Sequence, residues 1–278
     1  MGDGSEMKVI IFTDLDGTLL NHDDYFFEEA LPAMTMIKES GIPLIITTSK
    51  TRREVEVIRE EMGIIDPFII ENGGGIFFTD GYRNLDIQSG QKKAGYIIIE
   101  LGVTYKRIRN FFATVMTRFN ARGFGDMSIK EISDLTGLSI DKAALAKNRE
   151  YTEPFLLDSD QDSSALANLA KSRGMKITRG GRFYHLMGLH QDKGAAVRLV
   201  RDIFRRHMGE NMISIGIGDR DNDRPMLQEV DIPVLIPHPE GDYSDIHLPG
   251  LVKAEAPGAR GWNDVVERIL NGLKANNP

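Results

Sequence analysis

An apolar run that ends abruptly in acidic residues constrains the fold of this chain more than any other feature. Residues 9–13 read Val-Ile-Ile-Phe-Thr, and Asp14, Asp16 and Gly17 come directly after them. A run without polar alternation is typical of a buried strand in a parallel sheet. Because open α/β sheets place their active sites at the carboxyl ends of strands, the two carboxylates are candidate catalytic residues. An ordinary Asp-Gly turn is the alternative interpretation.

Strands and helices alternate in the first and last thirds of the chain, which indicates βαβ units and a parallel sheet. The predicted strands are Lys8–Thr13, Ile42–Thr48, Pro67–Glu71, Met212–Ile217 and Ile232–Ile236. The predicted helices are Glu28–Ser40, 51–62 (which begins with a capping box at Thr51), Lys193–Arg206, Arg224–Val230 and Trp262–Leu273.

The middle of the chain mixes strands and helices without that alternation. We predict strands at Tyr96–Leu101, Phe155–Leu157, Lys176–Thr178 and Phe183–Leu186, and helices at Thr104–Asn120, Ser128–Leu135, Ile140–Asn148 and Asp162–Arg173. The expected fold class is therefore α/β, with a Rossmann-like parallel-sheet core formed by residues 1–84 and 187–278. An α+β domain, residues 85–186, is inserted into this core.

Composition excludes several functional classes. The chain has 278 residues, a net charge of −7 and no cysteine. Disulfides, thiolate nucleophiles and cysteine-bound metals are therefore excluded, and neither a nucleic-acid nor an anionic membrane partner is expected. No apolar run approaches the ~20 residues of a membrane span. Residues 1–6 are small and polar, unlike a signal peptide, so we expect a soluble, cytoplasmic protein, either a monomer or a weak homodimer.

A second acidic segment follows the predicted strand Met212–Ile217. It reads Gly218-Asp219-Arg220-Asp221-Asn222-Asp223. Carboxylates crowded at two strand ends repel one another unless a cation lies between them, and Mg²⁺ prefers hard oxygen ligands. We predict a Mg²⁺ site formed by Asp14, Asp219 and the main-chain carbonyl of Asp16, with Asp223 orienting the ligands. A solvated acidic loop before a helix is the alternative.

The residue types fit phosphoryl transfer. Asp14 is the candidate nucleophile, because a carboxylate accepts a phosphoryl group, and Asp16 is placed to act as general acid and base. Thr48, at the end of the second strand, offers a hydroxyl, and Lys193, at the start of a helix, offers an ammonium. Both would hold phosphoryl oxygens and neutralise their charge. A surface position is the alternative for Lys193.

The chain resembles the haloacid dehalogenase-type phosphatases at their four motifs, which here are, in order, Asp14-x-Asp16-Gly-Thr, Thr48, Lys193 and Gly218-Asp219-x-x-Asn222-Asp223. The insertion resembles the C2-type cap of the Cof-like sugar phosphatases. Three further segments are similar to the mannosyl-3-phosphoglycerate phosphatase family: Ser49–Arg52, Glu71–Gly75 and Gly180–His185, with Leu135–Ser139 in the insertion. The resemblance implies Mg²⁺-dependent hydrolysis of a hexosyl-3-phosphoglycerate to a hexosylglycerate, a compatible solute, with this phosphorylated sugar glycerate as the small-molecule partner.

Several residues are candidates for binding a substrate with two anionic groups. Lys50 and Arg52 are predicted near the phosphate, and Arg182 near the glycerate carboxylate, which a guanidinium binds with two hydrogen bonds. Gly73 and Gly74 allow close approach of the backbone to a ligand, although a plain hairpin turn uses the same residues.

Two further candidates, Asp126 and His185, are predicted to accept sugar hydroxyls. Arg220 and Asp221 stand where the family often has small or apolar residues. Arg220 either pairs with Asp221 or changes which leaving group is accepted.

Other activities stay open from the sequence alone. The same chemistry fits glucosyl-3-phosphoglycerate, sucrose phosphate or trehalose phosphate as substrate. A phosphomutase, which returns the phosphoryl group to its substrate, is a second alternative. A signalling receiver domain is a third, although Asp16, as a base that activates water, argues against a long-lived phosphoaspartate.

Overall fold

A computed structural model of the chain describes residues 8–159, 162–180 and 182–275. The strands are β1 (Lys8–Thr13), β2 (Leu44–Thr47), β3 (Phe68–Ile70), β4 (Gly75–Thr79), β5 (Gln91–Lys93), β6 (Tyr96–Glu100), β7 (Ala121–Gly123), β8 (Thr152–Leu157), β9 (Met175–Gly180), β10 (Phe183–Gly188), β11 (Met212–Gly218), β12 (Ile232–Leu235) and β13 (Val252–Lys253). The α-helices are α1 (Leu31–Glu39), α2 (Arg52–Met62), α3 (Tyr105–Val115), α4 (Ile129–Thr136), α5 (Ile140–Lys147), α6 (Ser163–Ser172), α7 (Lys193–Met208), α8 (Arg224–Gln228) and α9 (Gly258–Ala275).

The larger sheet has the strand order β13-β12-β11-β1-β2-β3-β4-β6-β5. Pairing is parallel from β13 to β3 and antiparallel from β3 to β5. In the centre, Thr13 of β1 lies opposite Ile217 of β11 and Ile46 of β2, so the carboxyl ends of these strands meet at one edge. The predicted parallel-sheet core is confirmed.

Both faces of this sheet are covered by helices, which explains why β1 lacks polar alternation. Val9 and Ile11 belong to the buried cluster that contains Trp262 of α9 and residues of α1 and α2. Ile10 and Phe12 belong to the cluster on the other face, which contains Phe204 of α7 and residues of α8. Each face of β1 is therefore packed against apolar side chains.

A second, antiparallel sheet has the order β7-β8-β10-β9 and forms the smaller unit of the molecule, together with α3 to α6. Phe112 of α3 and Leu166 of α6 pack with Phe155 and Leu186 on one face of this sheet. Residues of α4 and α5 form a separate cluster with Phe124 and the partly buried Phe183. The predicted inserted α+β unit is thus present as a distinct sheet with its own apolar contacts.

One strand that we expected in the insertion belongs to the larger sheet. The strand predicted at Tyr96–Leu101 is β6, and it pairs antiparallel with β4, with Phe77 opposite Ile98. The larger sheet therefore continues to Glu100, because β4, which the sequence analysis missed, gives β6 a neighbour to pair with. The boundaries at residues 84 and 187 stay predictions.

Most predicted elements are confirmed, with shifts at their ends. The capping box that begins α2 is present: Glu54 N–H donates to Thr51 Oγ at 3.2 Å, and Thr51 N–H donates to a Glu54 carboxylate oxygen at 2.8 Å. The long predicted helix 104–120 ends at Val115, and β7 follows it. Residues 1–6 and Gly181 lie outside the described part of the chain. Within that part, no helix has the length and apolar character needed to cross a bilayer.

Candidate active site

Two neighbouring strands end in the acidic residues of the candidate site. Asp14 follows β1 and Asp219 follows β11, and these strands are paired in parallel. The Asp14 N–H donates to the Ile217 carbonyl at 2.9 Å, so the ladder continues one residue beyond β1. The register of the sheet therefore places both acidic residues at its carboxyl edge, as the sequence analysis predicted.

The carboxylates of Asp14, Asp219 and Asp223 form a buried group, which we call the acidic cluster. Oxygen atoms from all three lie within 4.8 Å of one another. Lys193 Nζ lies 2.6 Å from Asp14 Oδ1 and 2.6 Å from Asp223 Oδ1. One buried ammonium thus faces three buried carboxylates, so an additional cation is favoured. Hard oxygen atoms at this spacing fit a divalent metal ion.

Burial controls the ionisation of the acidic cluster. It raises the pKa of Asp14 well above its usual range, whereas Lys193 acts in the opposite direction. Burial and the nearby Asp223 raise the pKa of Asp219 to about 7. Burial alone would lower the pKa of Lys193, but Asp14 and Asp223 outweigh it and the net shift is upward. Lys193 is therefore a permanent cation, and the acids gain from a second positive charge.

Main-chain groups fix the position of the acidic cluster. Asp223 Oδ2 accepts from the N–H groups of Asp219 and Arg220, each at 3.1 Å. Gly17 has a φ of +74°, and a Cβ added there would lie 2.6 Å from Asp219 Oδ2. A side chain at residue 17 would therefore displace Asp219, which explains the glycine directly after Asp16.

Asp16 lies outside the acidic cluster and is more accessible to solvent. Its Oδ1 lies 2.8 Å from Lys50 Nζ, and its side chain is 41% exposed. Lys50 also lies over the ring of Tyr25, with its Nζ 5.3 Å from the centroid. The carboxylate of Asp16 is thus separated from the buried acids and free to meet a leaving group or a water. The predicted metal contact through its carbonyl stays a prediction.

Thr48 joins the loop that follows β2 to the rest of the site. Its side chain is buried, and its Oγ accepts from the Lys50 N–H at 3.2 Å. The Thr48 carbonyl accepts from the Asn72 N–H at 2.9 Å, and Asn72 Oδ1 accepts from Asn222 Nδ2 at 3.4 Å. Asn72 therefore links the segments after β2, β3 and β11. The sequence analysis did not single it out.

The two arginines predicted to bind the substrate form hydrogen bonds with other residues of the chain. Arg52 Nε donates to Glu150 Oε1 at 2.7 Å, and Arg52 Nη1 donates to Glu56 Oε1 at 2.9 Å. Arg182 is exposed, and its Nη1 donates to the Leu135 carbonyl at 2.8 Å. Arg52 therefore links α2 to the smaller unit, and Arg182 links the residue before β10 to the end of α4. Their roles as phosphate and carboxylate ligands stay predictions.

The two predicted sugar ligands also have surroundings that the sequence did not indicate. Both carboxylate oxygens of Asp126 accept from Arg109, so this acid is already paired within the smaller unit. His185 lies on β10, and burial together with Arg149 lowers its pKa to about 3. His185 is therefore a neutral imidazole whose Nδ1 is buried without a hydrogen-bond partner among the described residues. Of the two, only His185 has an unused polar atom.

The glycines after β3 approach other parts of the chain closely. A Cβ on Gly73 would lie 2.1 Å from the Asp192 carbonyl oxygen, and one on Gly74 would lie 2.4 Å from Tyr151 Cβ. These residues form the turn between the antiparallel strands β3 and β4. The turn expected from the hairpin interpretation is present, and the close contacts account for both glycines. The role of Gly73 and Gly74 in binding a ligand stays a prediction.

Glu71 and Arg149 are further site residues that the sequence analysis missed as candidates. Glu71 is fully buried directly after β3, and Arg149 Nε lies 3.3 Å from Glu71 Oε2. Arg149 Nη2 also donates to the Ser49 carbonyl at 3.0 Å. The Asn-Gly-Gly-Gly turn directly after Glu71 was the sequence feature that could have indicated this residue. The partner Arg149 lies too far along the chain for spacing to indicate it.

Arg220 pairs with a member of the acidic cluster. Its Nε lies 3.2 Å from Asp219 Oδ2, whereas Asp221 contacts Arg224. The interpretation that Arg220 pairs with Asp221 was wrong, because Asp221 is exposed and points toward α8.

Comparison with known sequences shows the family. A sequence profile of the haloacid dehalogenase-like hydrolases matches residues 11–237, which include every member of the acidic cluster and Lys193. The chain is a haloacid dehalogenase-like hydrolase. Its relatives include a glucosyl-3-phosphoglycerate/mannosyl-3-phosphoglycerate phosphatase of Persephonella marina, 51% identical over 96% of this chain and 98% of the relative. A protein of the same name from Methanococcoides burtonii is 43% identical over 98% of this chain and 100% of the relative.

A solved structure shows the same fold. This haloacid dehalogenase-like hydrolase is similar to a phosphatase of the HAD superfamily from Bacteroides thetaiotaomicron, with a TM-score of 0.68, 17% identity and 98% of each chain covered. The predicted family, fold class and enzyme class, a phosphoric monoester hydrolase, are thus confirmed by relatives and fold together.

Proposed function

We propose that this protein is a Mg²⁺-dependent phosphatase that hydrolyses mannosyl-3-phosphoglycerate to mannosylglycerate and phosphate through an aspartyl-phosphate on Asp14. The observation that carries this proposal is the separation of the acids. Asp14 lies in the buried acidic cluster beside Lys193, whereas Asp16 lies outside it beside Lys50. One carboxylate is thereby suited to attack phosphorus and the other to move protons.

In the first half-reaction, an oxygen of Asp14 attacks phosphorus and the ester P–O bond breaks. The leaving glycerate oxygen takes a proton from Asp16. Lys193 and the hydroxyl of Thr48 hold the phosphoryl oxygens and neutralise part of their charge. Lys193 also favours the ionised form of Asp14, which burial alone opposes.

In the second half-reaction, Asp16 takes a proton from a water molecule, which attacks the phosphorus of the phosphoaspartate. The acyl–phosphate bond breaks, phosphate leaves, and Asp14 is regenerated as a carboxylate. Asp14, Asp219 and the Asp16 carbonyl would hold a Mg²⁺ ion, which would neutralise part of the charge of the phosphoryl group. Asp223 orients Lys193 and the loop that carries Asp219.

We infer that the smaller unit is a cap that covers the sugar and glycerate parts of the substrate. Segments of this unit contact the loop that follows Thr48, through Arg149 and the Ser49 carbonyl. We place this cap at residues 101–188 rather than 85–186, because β6 pairs in the larger sheet up to Glu100 and β10 ends at Gly188. The unpartnered Nδ1 of His185 is the cap atom that we expect to meet a substrate hydroxyl.

Glucosyl-3-phosphoglycerate is the second candidate substrate. The relatives from Persephonella marina and Methanococcoides burtonii are named for both the glucosyl and the mannosyl compound. The two sugars differ only in the configuration of one hydroxyl, so a single site that holds the glycerate and the phosphate can accept both.

The test is phosphate release from mannosyl-3-phosphoglycerate, glucosyl-3-phosphoglycerate and mannose 6-phosphate, with Mg²⁺ and with EDTA. We expect rapid, Mg²⁺-dependent release from the phosphoglycerates, abolished in Asp14→Asn. Asp221→Asn is the matched control, because Asp221 lies in the same segment as Asp219 but its side chain is 78% exposed. Turnover of mannose 6-phosphate alone would refute the substrate. Phosphoryl transfer without phosphate release would indicate a mutase, and an acyl-phosphate stable for minutes a receiver.

A further inference from the structure

Glu71 is a buried acid in an uncommon backbone conformation between the two units of the molecule. Its side chain is fully buried, and its φ is +47°. Non-glycine residues with this φ are uncommon, and they persist where the surroundings hold them in place. Glycine adopts a positive φ without strain, and Gly73 follows in the same turn. Residue 71 is nevertheless an acid.

The carboxylate of Glu71 holds the cap segment that leads into β8. Oε1 accepts from the Glu150 N–H at 2.7 Å, and Oε2 accepts from the Tyr151 N–H at 3.1 Å and from the Thr152 hydroxyl at 2.6 Å. Arg149 Nε lies 3.3 Å from the same oxygen. Four consecutive residues of the cap therefore converge on one carboxylate of the larger unit.

The main chain of Glu71 is hydrogen-bonded to the two segments of the larger unit that carry Thr48 and Lys193. Its N–H donates to the Lys50 carbonyl at 3.0 Å, two residues after Thr48. Its carbonyl accepts from Gln191 Nε2 at 2.7 Å, where the chain returns from the cap to Lys193. Glu71 thus contacts the loop after β2, the cap, and the segment that leads into α7.

The same cap segment contacts the loop after Thr48 directly. Arg149 Nη2 donates to the Ser49 carbonyl at 3.0 Å, and Thr51 Oγ donates to the Leu145 carbonyl at 3.0 Å. The cap segment 145–152 is therefore held against the larger unit at three places, Ser49, Thr51 and Glu71. Glu71 is the one of the three that receives several hydrogen bonds from this segment.

We propose that Glu71 is a positioning residue that holds the cap against the loop after β2, which carries Thr48. The negative charge of Glu71 is therefore needed for substrates that contact the cap and not for small phosphomonoesters. This inference rests on the proposed function in one respect only: the sugar and glycerate parts of the substrate lie against the cap. Among the described residues, no hydrogen bond or ion pair joins Glu71 to Asp14, Asp16 or Lys193, so we assign it no part in the chemical steps.

The test compares Glu71→Gln with the wild type on two substrates: the best hexosyl-3-phosphoglycerate and p-nitrophenyl phosphate. Glutamine keeps the shape but loses the charge that four donors share. We expect kcat/KM for the sugar substrate to fall by about 10- to 100-fold, mainly through KM, since the neutral amide replaces charge-assisted hydrogen bonds with weaker ones. For p-nitrophenyl phosphate we expect a change of less than about threefold, because that substrate is too small to need the cap.

Glu100→Gln is the matched control. Glu100 Oε1 accepts from the Tyr151 hydroxyl at 2.8 Å, so this substitution affects the same segment at an exposed acid outside the Glu71 contacts. We expect both substrates to be hydrolysed at the wild-type rate. Equal losses on both substrates in Glu71→Gln, or no loss on either, would overturn the proposal.

A second variant keeps the test decisive if Glu71→Gln does not fold. Thr152→Val retains the side-chain shape and removes the hydroxyl that donates to Glu71, and it is expected to change the two substrates in the same unequal way, by about 3- to 10-fold. An equal effect on both substrates would overturn the proposal. If the wild type hydrolyses p-nitrophenyl phosphate but no hexosyl-3-phosphoglycerate, the proposed substrate fails. The positioning role is then judged on the sugar phosphate that the wild type hydrolyses best.

Discussion

Replacing Lys193 with methionine should destabilise the metal-free protein strongly. The ammonium of Lys193 is fully buried and lies 2.6 Å from both Asp14 and Asp223, and no other lysine or arginine side-chain nitrogen of the described residues lies within 4.0 Å of either carboxylate. Removing one partner of a buried pair costs about 3–5 kcal/mol, because the remaining charge stays buried. We expect a loss of this size in the free energy of unfolding at pH 8 in EDTA.

The loss should be smaller at pH 6. The pKa of Asp219 is raised to about 7, so at pH 6 the acidic cluster already holds a proton and carries less charge. Removing a cation then leaves less repulsion behind. Mg²⁺ should stabilise Lys193→Met more than it stabilises the wild type, because the ion meets three carboxylates without the ammonium.

Urea unfolding followed by tryptophan fluorescence measures this effect. Trp262 is the only tryptophan of the chain, and its Nε1 donates to Thr13 Oγ at 3.0 Å, next to Asp14. Lys92→Met is the control, because Lys92 pairs with Asp80 at 2.9 Å but is 72% exposed, and exposed pairs contribute less than about 1 kcal/mol. If Lys193→Met unfolds within about 1 kcal/mol of the wild type at pH 8 in EDTA, the burial argument is refuted.

Three further predictions concern the acidic cluster. Gly17→Ala should weaken Mg²⁺ binding, measured by calorimetry, by at least about 10-fold, because the added Cβ would displace Asp219. Gly272→Ala, the control, has open space around residue 272 and should bind Mg²⁺ like the wild type. Arg220→Ala should tighten Mg²⁺ binding by up to about fivefold, because this half-exposed cation competes for Asp219, and unchanged affinity would contradict that competition. In EDTA, the wild-type melting temperature should fall as the pH rises from about 7 to about 9, because the raised pKa values of Asp14 and Asp219 let the folded state hold more protons than the unfolded chain while His185 is neutral in both states, and Mg²⁺ should reverse this trend; a rising melting temperature in EDTA over this range would contradict those pKa shifts.

The core of the site was predictable because strand ends determine it. Asp14 and Asp219 each follow an apolar run, and parallel strands that end at one edge bring such residues together. Lys193 was predictable from its place at the start of a helix that returns to the sheet. In these cases a local pattern together with a general rule of sheet topology is sufficient.

The surroundings of the site were not predictable in the same way. Arg52 and Arg182 have partners in distant segments, Glu150 and the Leu135 carbonyl, that the sequence did not indicate, and their roles as ligands of substrate anions stay predictions. The close approach of Gly74 to Tyr151 was likewise not indicated by the sequence. Such contacts depend on how the smaller unit lies against the larger one, and residue spacing along the chain carries no information about that arrangement.

The covalent intermediate on Asp14 is the central claim, and one pre-steady-state measurement tests it most directly. Asp16→Asn is mixed with 2,4-dinitrophenyl phosphate, whose leaving group needs no protonation, so that phosphorylation proceeds while hydrolysis of the intermediate is slowed. The account predicts a burst of about one phenolate per enzyme and, after acid quenching, a phosphorylated peptide that contains Asp14, detected by mass spectrometry. Absence of both the burst and the phosphorylated peptide, or a phosphate on another residue, would contradict it.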